Sequence, residues 1–495
     1  MIHSPPAIII SSNWLTMLYE RMTLCRVTPS HLPAAAPARL TPQARRAVIV
    51  VLIGAILAFL DATVVNVALH TLAGAVDVSL DAIQWVVTAY LLAQVAVLPA
   101  SGWAARRVGA KRLYLASLAL FTLASIACGL AGSLGMLIMA RVAQGVGAGL
   151  MIPVGQLILA RTAGRRGMAR AMVAAGIPMV LTPIVGPTIG GLLLEFAGWP
   201  WIFLINVPFG VLGLALAVRL LEADATEPAG PLDMVGLLWI SLGTVATTYG
   251  LARAGAHGLT DLRVLVPLLA GVAVTALFVV HTLRSPAPIL DLRLWRDRSF
   301  GAGAATTFVL GATTFGAMVL LPLYFQLVRG QDAAHTGLLL APQGLGAAAA
   351  MVLSAPMVER IGGWTAMLGG LIGVVATVPF LFLADDTPYW LPAAAMVVRG
   401  LGIGLAATPA MTVALRDVAP ERMADATPQL NIMQRIGGSI GTAIFVVILQ
   451  SGLRERGPQG ASSAAFTTTF GWVLGAAVLA LIPAFALARG ARTIE

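Results

Sequence analysis

Ala47-Val48-Ile49-Val50-Val51-Leu52-Ile53-Gly54-Ala55-Ile56-Leu57-Ala58-Phe59-Leu60-Asp61-Ala62-Thr63-Val64-Val65-Asn66-Val67-Ala68-Leu69 is an apolar run long enough to cross a hydrocarbon core as one helix, which takes roughly 20 residues. Its single ionisable residue, Asp61, stands about two thirds of the way along. An ionised and unpaired carboxylate at that depth is costly, so a membrane chain rarely keeps one without a use for its proton or its charge.

The same reading extends outward over the whole chain. Its 495 residues are 58% hydrophobic and only 11% charged, with mean hydropathy +0.89, more apolar surface than a water-soluble core buries. We expect an all-α integral membrane protein of about fourteen spans, placed at 47–69, 83–104, 113–133, 135–160, 169–194, 200–221, 232–252, 264–283, 299–325, 335–357, 365–384, 388–415, 430–450 and 466–488.

A formal charge of +10 raises the question of nucleic acid, but the placement of the basic residues answers it. With the N-terminus inside, one side receives Arg39, Arg45, Arg46, Arg106, Arg107, Lys111, Arg112, Arg161, Arg165, Arg166, Arg170, Arg284, Arg293, Arg296 and Arg298, while the first three outer loops hold no Lys or Arg. That asymmetry is the positive-inside pattern of a plasma-membrane protein with both termini cytoplasmic; Arg253, Arg263, Arg454 and Arg456 run against it. Residues 1–46, with Pro5, Pro6, Pro29, Pro33, Pro37 and Pro42, read as a mobile cytoplasmic tail. Cys25 and Cys128 fall in different compartments, so no disulfide or metal site is expected.

Two parts of the chain resemble each other. Arg141, Gly145, Gly147, Gly149, Leu150 and Pro153 of span 4 are echoed by Arg399, Gly400, Gly402, Gly404, Leu405 and Pro409 of span 12. The joint after span 2, Gly102-Trp103-Ala104-Ala105-Arg106-Arg107-Val108-Gly109, is echoed after span 10 by Ala355-Pro356-Met357-Val358-Glu359-Arg360-Ile361-Gly362. The organisation expected is a six-helix bundle over 47–221, an inserted pair over 232–283 and a second six-helix bundle over 299–488, a parallel repeat around a central site.

With these elements in place, roughly residues 45–490 resemble the fourteen-span drug:proton antiporter group of the major facilitator superfamily. Leu60 to Leu69 is similar to the group's first-helix motif, with His70 where a proline is usual, and Arg141-Val142-Ala143-Gln144-Gly145-Val146-Gly147-Ala148-Gly149 to its fourth-helix motif. Gly186-Pro187-Thr188-Ile189-Gly190-Gly191 resembles the fifth-helix motif that marks antiporters. Trp201 to Pro208 resembles the start of the sixth helix, with Pro200 where Arg is common, and Pro288 to Leu294 the entry to span 9. The resemblance implies proton-coupled export of lipophilic small molecules by a monomeric unit that needs no cofactor. One position departs: Arg106 stands where the family has an acid that latches the two halves. We expect either that the latch has moved, with Glu359, at the matching place of the second half, meeting Arg106 or Arg107, or that it is degraded and the charges are solvated.

Depth adds chemistry to the resemblance. At 1.5 Å per residue, Asp61 and Arg141 lie about 12 Å and 9 Å from the outer ends of antiparallel spans 1 and 4, so the two charges are expected at one level. A buried pair offsets much of each member's desolvation cost, and a carboxylate held between burial and a guanidinium suits a proton carrier. The alternative is that the pair only ties the two helices together. Gly186, Pro187, Gly190 and Gly191 are read as a hinge or as close packing; Asn66, Gln84, Trp85, Tyr90, Gln94, Tyr324, Gln326, Gln343 and Arg399 as candidates for the cavity. Gly437-Gly438-Ser439-Ile440-Gly441 imitates a nucleophile elbow but lies inside an apolar span, and Lys111, the only lysine, lacks a phosphate-binding loop. A metabolite uniporter or importer, or a polytopic membrane enzyme, are the competing readings; the second lacks clustered His, Asp or Cys at one membrane face.

Overall fold

The computed structural model describes residues 40–222, 230–258, 260–331, 333–454 and 463–490. Thr41 opens the first helix: its hydroxyl accepts the Ala44 amide hydrogen at 3.1 Å, and Pro42 follows at a position where no amide donor is needed. The tail expected through residue 46 therefore gives way to helix at Pro42; residues 1–39, with Cys25, lie outside the described residues, as do Arg456 and Arg492.

Every regular element described is helical. The helices are α1 (Pro42–Ala75), α2 (Trp85–Val97), α3 (Ala100–Val108), α4 (Ala110–Gly129), α5 (Leu134–Phe196), α6 (Asn206–Leu220), α7 (Met234–His257), α8 (Leu262–Arg284), α9 (Arg298–Leu323), α10 (Ala333–Ile361), α11 (Trp364–Thr377), α12 (Trp390–Arg416), α13 (Met423–Arg454) and α14 (Ser463–Gly490). Among the described residues twelve helices are long and apolar enough to cross a membrane, thirteen if the bent pair α2 and α3 is one span. Expected span 2 is that pair, turned by 60° at Pro99, which lacks an amide hydrogen and crowds the carbonyl four residues back. Expected span 5, over 169–194, lies in the second arm of α5 beyond Gly164, whose φ of 61° breaks the helix direction. Large apolar side chains such as Leu123, Met139, Leu269, Val352 and Ile482 stand exposed around the outside, as lipid contact requires.

The repeated glycines explain how the helices approach. A Cβ on Gly145 or Gly149 would collide with the Tyr90 or Gln94 carbonyl of α2; on Gly400 or Gly404 it would collide with the Gln343 or Ala347 carbonyl of α10. On the opposite face Gly147 is seated on α4 and Gly402 on α11. The glycines thus match in one register, and in that register Arg399 occupies the place of Gln144 rather than of Arg141.

α1, α2 and α4 pack on α5, and α9 to α14 pack among themselves around α12 and α13. At the arginine-rich end one apolar core joins the two groups, with Val154, Leu157 and Met168 against Leu415, Met423 and Leu430. At the other end the cores are separate: Leu60, Val64, Val86 and Phe203 in the first group, Tyr324, Phe380, Phe466 and Phe470 in the second. The α7–α8 pair lies across the seam, where α7 touches both α2 and α13.

Candidate functional site

Asp61 sits on α1, 1% exposed, at the centre of a wholly buried polar cluster. Its Oδ2 accepts from Arg141 Nη1 at 2.6 Å, and its Oδ1 accepts from Gln144 Nε2 at 2.8 Å and from Asn206 Nδ2 at 3.0 Å. Arg141 and Gln144 stand one turn apart on α5, which places both on the same face. Asn206 opens α6, and Ser125 of α4 accepts a second Gln144 hydrogen at 2.8 Å. Four helices therefore hold one carboxylate.

The guanidinium is held on every side. Arg141 Nε donates to the Val86 carbonyl at 3.0 Å and Nη1 to Gln144 Oε1 at 2.7 Å, while its Cζ lies 4.1 Å from the centre of the Tyr90 ring. Tyr90 in turn donates to the Ala58 carbonyl and accepts from Gln94, both at 3.4 Å. A charge-assisted pair with this many hydrogen bonds is the form in which a buried ion pair is tolerated at all. One polar atom is left over: Asn206 Oδ1 is buried without a hydrogen-bond partner.

The second arm of α5 meets α1 immediately beside this cluster. A Cβ on Gly186 would lie 2.1 Å from Thr63 Oγ1, and Gly190 touches Val64, whereas Gly191 faces open space. Pro187 is within the helical arm. Any swing of that arm therefore pushes on the turn of α1 that follows Asp61.

The remaining candidates disperse. Tyr90 and Gln94 belong to the Asp61 cluster; Asn66 and Gln84 are exposed, Asn66 donating to the Ala62 carbonyl, and Trp85 stacks on Tyr249 with ring centres 5.9 Å apart. Tyr324 is buried among apolar residues and donates to the Ala384 carbonyl, and Gln326 is exposed. Arg399 is buried in α12 and donates to the Thr313 carbonyl at 2.9 Å and to Gln343 Oε1 at 3.3 Å.

At the arginine-rich end the ion pairs differ from those expected. Glu359 pairs with Arg170 at 2.9 Å, not with Arg106 or Arg107; Arg106 pairs with Asp425 at 2.6 Å, and Arg107 and Arg360 are exposed. The reason is geometric. Helix α3 reaches the start of α13, where Gly102 is pressed on the Ala424 carbonyl, and the last turn of α10 reaches the α5 arm. Arg106 thus faces the positive end of a helix dipole, and Asp425, in the first turn of α13, neutralises it. Gln156 Oε1 also accepts from Asn431 at 2.7 Å across the same junction.

This arrangement yields a charge test. R106D should lower the melting temperature of the purified protein by a few degrees, because two carboxylates would face each other in place of an ion pair. Adding D425N should restore most of the loss, since a lone acid at a helix N-terminus is stabilised by the dipole. Melting of the single and double variants in detergent decides it; equal losses in both would remove Asp425 as the partner that matters to Arg106.

Gln144, Asn206 and Asp425 are not singled out by the sequence as site residues. Gln144 is legible as the i+3 neighbour of Arg141.

Comparison with known proteins places the chain among transporters. The family model described as Major Facilitator Superfamily matches residues 51–442. A Multidrug resistance protein B homolog from Mycobacterium tuberculosis is 36% identical over 432 residues, covering 86% of this chain and 80% of its own. A Putative multidrug resistance protein MdtD from Escherichia coli strain K12 is 30% identical over 443 residues, covering 89% and 93%. Among solved structures, the human organic anion transporter MFSD10 superposes with TM-score 0.61 at 16% identity over 90% of this chain and 99% of its own. The proton:xylose symporter XylE superposes with TM-score 0.59 at 14% identity, covering 89% and 94%.

Proposed function

Since the chain belongs to the Major Facilitator Superfamily, we propose that it is a plasma-membrane exporter of lipophilic small molecules driven by proton entry. The observation that carries this is the Asp61 carboxylate, buried at mid-span yet accepting hydrogen bonds from Arg141, Gln144 and Asn206. Every one of those contacts is a donor; a proton arriving there needs an acceptor instead. Asn206 supplies one, because its free Oδ1 turns towards Asp61 when the amide rotates. Protonation then loosens Asp61 from Arg141, and α1 from α5, which is the link between proton and movement. Gly186 and Gly190, packed on Thr63 and Val64, carry that movement into the second arm of α5.

The arginine-rich end is cytoplasmic on this reading, by the positive-inside rule. The shared core and the Arg106–Asp425 and Arg170–Glu359 pairs then close the cytoplasmic side while the outer cores stay apart, an outward-facing state. The two multidrug resistance relatives favour drug-like cargo over a metabolite. Transport is tested in liposomes containing the purified protein, with a fluorescent lipophilic dye and an imposed pH gradient. Dye should move against its own gradient only while the pH difference lasts, and each pulse of dye should dissipate the pH difference. Dye movement indifferent to the gradient would overturn the exchange.

A further inference from the structure

A cavity of about 360 Å³ lies where α2, α7, α9 and α13 meet. Its walls are apolar, from Leu91 and Val95 of α2, Leu251 of α7 and Phe315 of α9, with Thr248 and Ser439 as neutral polar groups. One charge enters it: Arg435 of α13. No carboxylate lines the cavity, and among the described residues Arg435 has neither a hydrogen bond nor an ion pair.

That isolation distinguishes it from the other deep cations. Arg141 is cancelled by Asp61, and Arg399 rests on two neutral oxygens, of Thr313 and Gln343. Among the described residues at mid-span, Arg141 and Arg399 are buried and Arg435 half-buried, against a single acid, Asp61, which is already engaged. A guanidinium stays charged under all physiological conditions, and the apolar walls around Arg435 offer that charge no counter-ion. Such a site attracts an anion, offers it a planar fork of donors, and repels a cation.

We propose that this cavity binds amphipathic anions, an apolar ring body in the α2–α7–α9 pocket with a carboxylate or sulfonate on Arg435. The inference rests on the export reading above and names the charge class of its cargo. It also connects cargo to proton. Leu91 and Val95 line the cavity, while Tyr90 and Gln94, their chain neighbours on α2, belong to the Asp61 cluster, and Tyr90 lies within electrostatic reach of Arg435. An anion on Arg435 therefore changes the field at the Tyr90–Arg141–Asp61 cluster.

The test is binding, measured apart from transport. Purified protein in a nonionic detergent is titrated with 1-anilinonaphthalene-8-sulfonate and, separately, with the lipophilic cation tetraphenylphosphonium. The wild type should bind the sulfonate in preference to the cation. R435Q should weaken the sulfonate roughly tenfold or more, the scale of a lost charged hydrogen bond, and R435K should keep most of the affinity. S439D, one turn along α13, places an acid beside Arg435 and should have the same effect as R435Q while keeping the arginine. Both charge-cancelling variants should bind the cation better than the wild type. Sulfonate affinity equal in wild type, R435Q and S439D would overturn the proposal, as would wild-type preference for the cation. The two readings separate cleanly: Arg435-dependent binding without gradient-driven movement of the sulfonate would sink the exchange and keep the site, whereas gradient-driven movement of the cation with Arg435-independent binding would do the reverse.

Discussion

Asp61→Asn is expected to leave the protein in the membrane at wild-type level and to reduce proton-driven export to that of cells lacking the protein. The insertion half of the expectation follows from the neighbours of Arg141. With the carboxylate gone the guanidinium still has the Val86 carbonyl, Gln144 Oε1 and the Tyr90 ring, and an asparagine Oδ1 replaces one acceptor in place. Gln144 and Asn206 would each meet an amide that both donates and accepts; rotation of Asn206, whose Oδ1 has no partner among the described residues, relieves its half of the mismatch. The export half follows from chemistry: an amide neither gains nor loses a proton in the working pH range, so no proton can be carried through the cluster. The measurement is drug susceptibility of an efflux-deficient host expressing wild type or D61N, with and without a protonophore. The wild type with protonophore should match D61N without it. Full export by D61N would move the proton site elsewhere.

The span character of the chain and the pairing of Asp61 with Arg141 were legible before any coordinates, and for the same reason. Both follow from the cost of polarity in hydrocarbon, which writes itself on the sequence as long apolar runs with few exceptions. What stayed hidden depends on the neighbours across space. Asn206 looked like an ordinary residue at the start of a helix, because nothing in the chain tells how α6 leans on α1. Glu359 is matched to Arg106 or Arg107 by analogy between the two halves, but the two helix ends land on different helices, α3 on the start of α13 and α10 on the second arm of α5, so the partner of Glu359 is Arg170. Arg399 was aligned with Arg141 by chemistry, whereas the packing glycines set it opposite Gln144. The bend at Pro99 and the reversal at Gly164 hid two of the expected spans in longer or broken helices, since helix direction is a property of φ and ψ rather than of hydropathy.

Arg141→Met should damage the fold more than any change at Asp61, and removing both charges should damage it less than removing the arginine alone. In R141M the Asp61 carboxylate keeps only the Gln144 and Asn206 amides, neutral donors inside a dry cluster. Breaking a buried pair on one side costs about 3–5 kcal/mol, because the surviving charge has lost its counter-ion. Methionine fills much of the space over Tyr90, so the loss is one of charge rather than of packing. The double variant D61N/R141M contains no charge to strand, and its amide remains within reach of Gln144 and Asn206. Its melting temperature in detergent should therefore lie above that of R141M, although it exports nothing. A melting temperature for the double variant at or below that of R141M would show that Arg141 holds α5 through Val86 and Tyr90 instead of through Asp61.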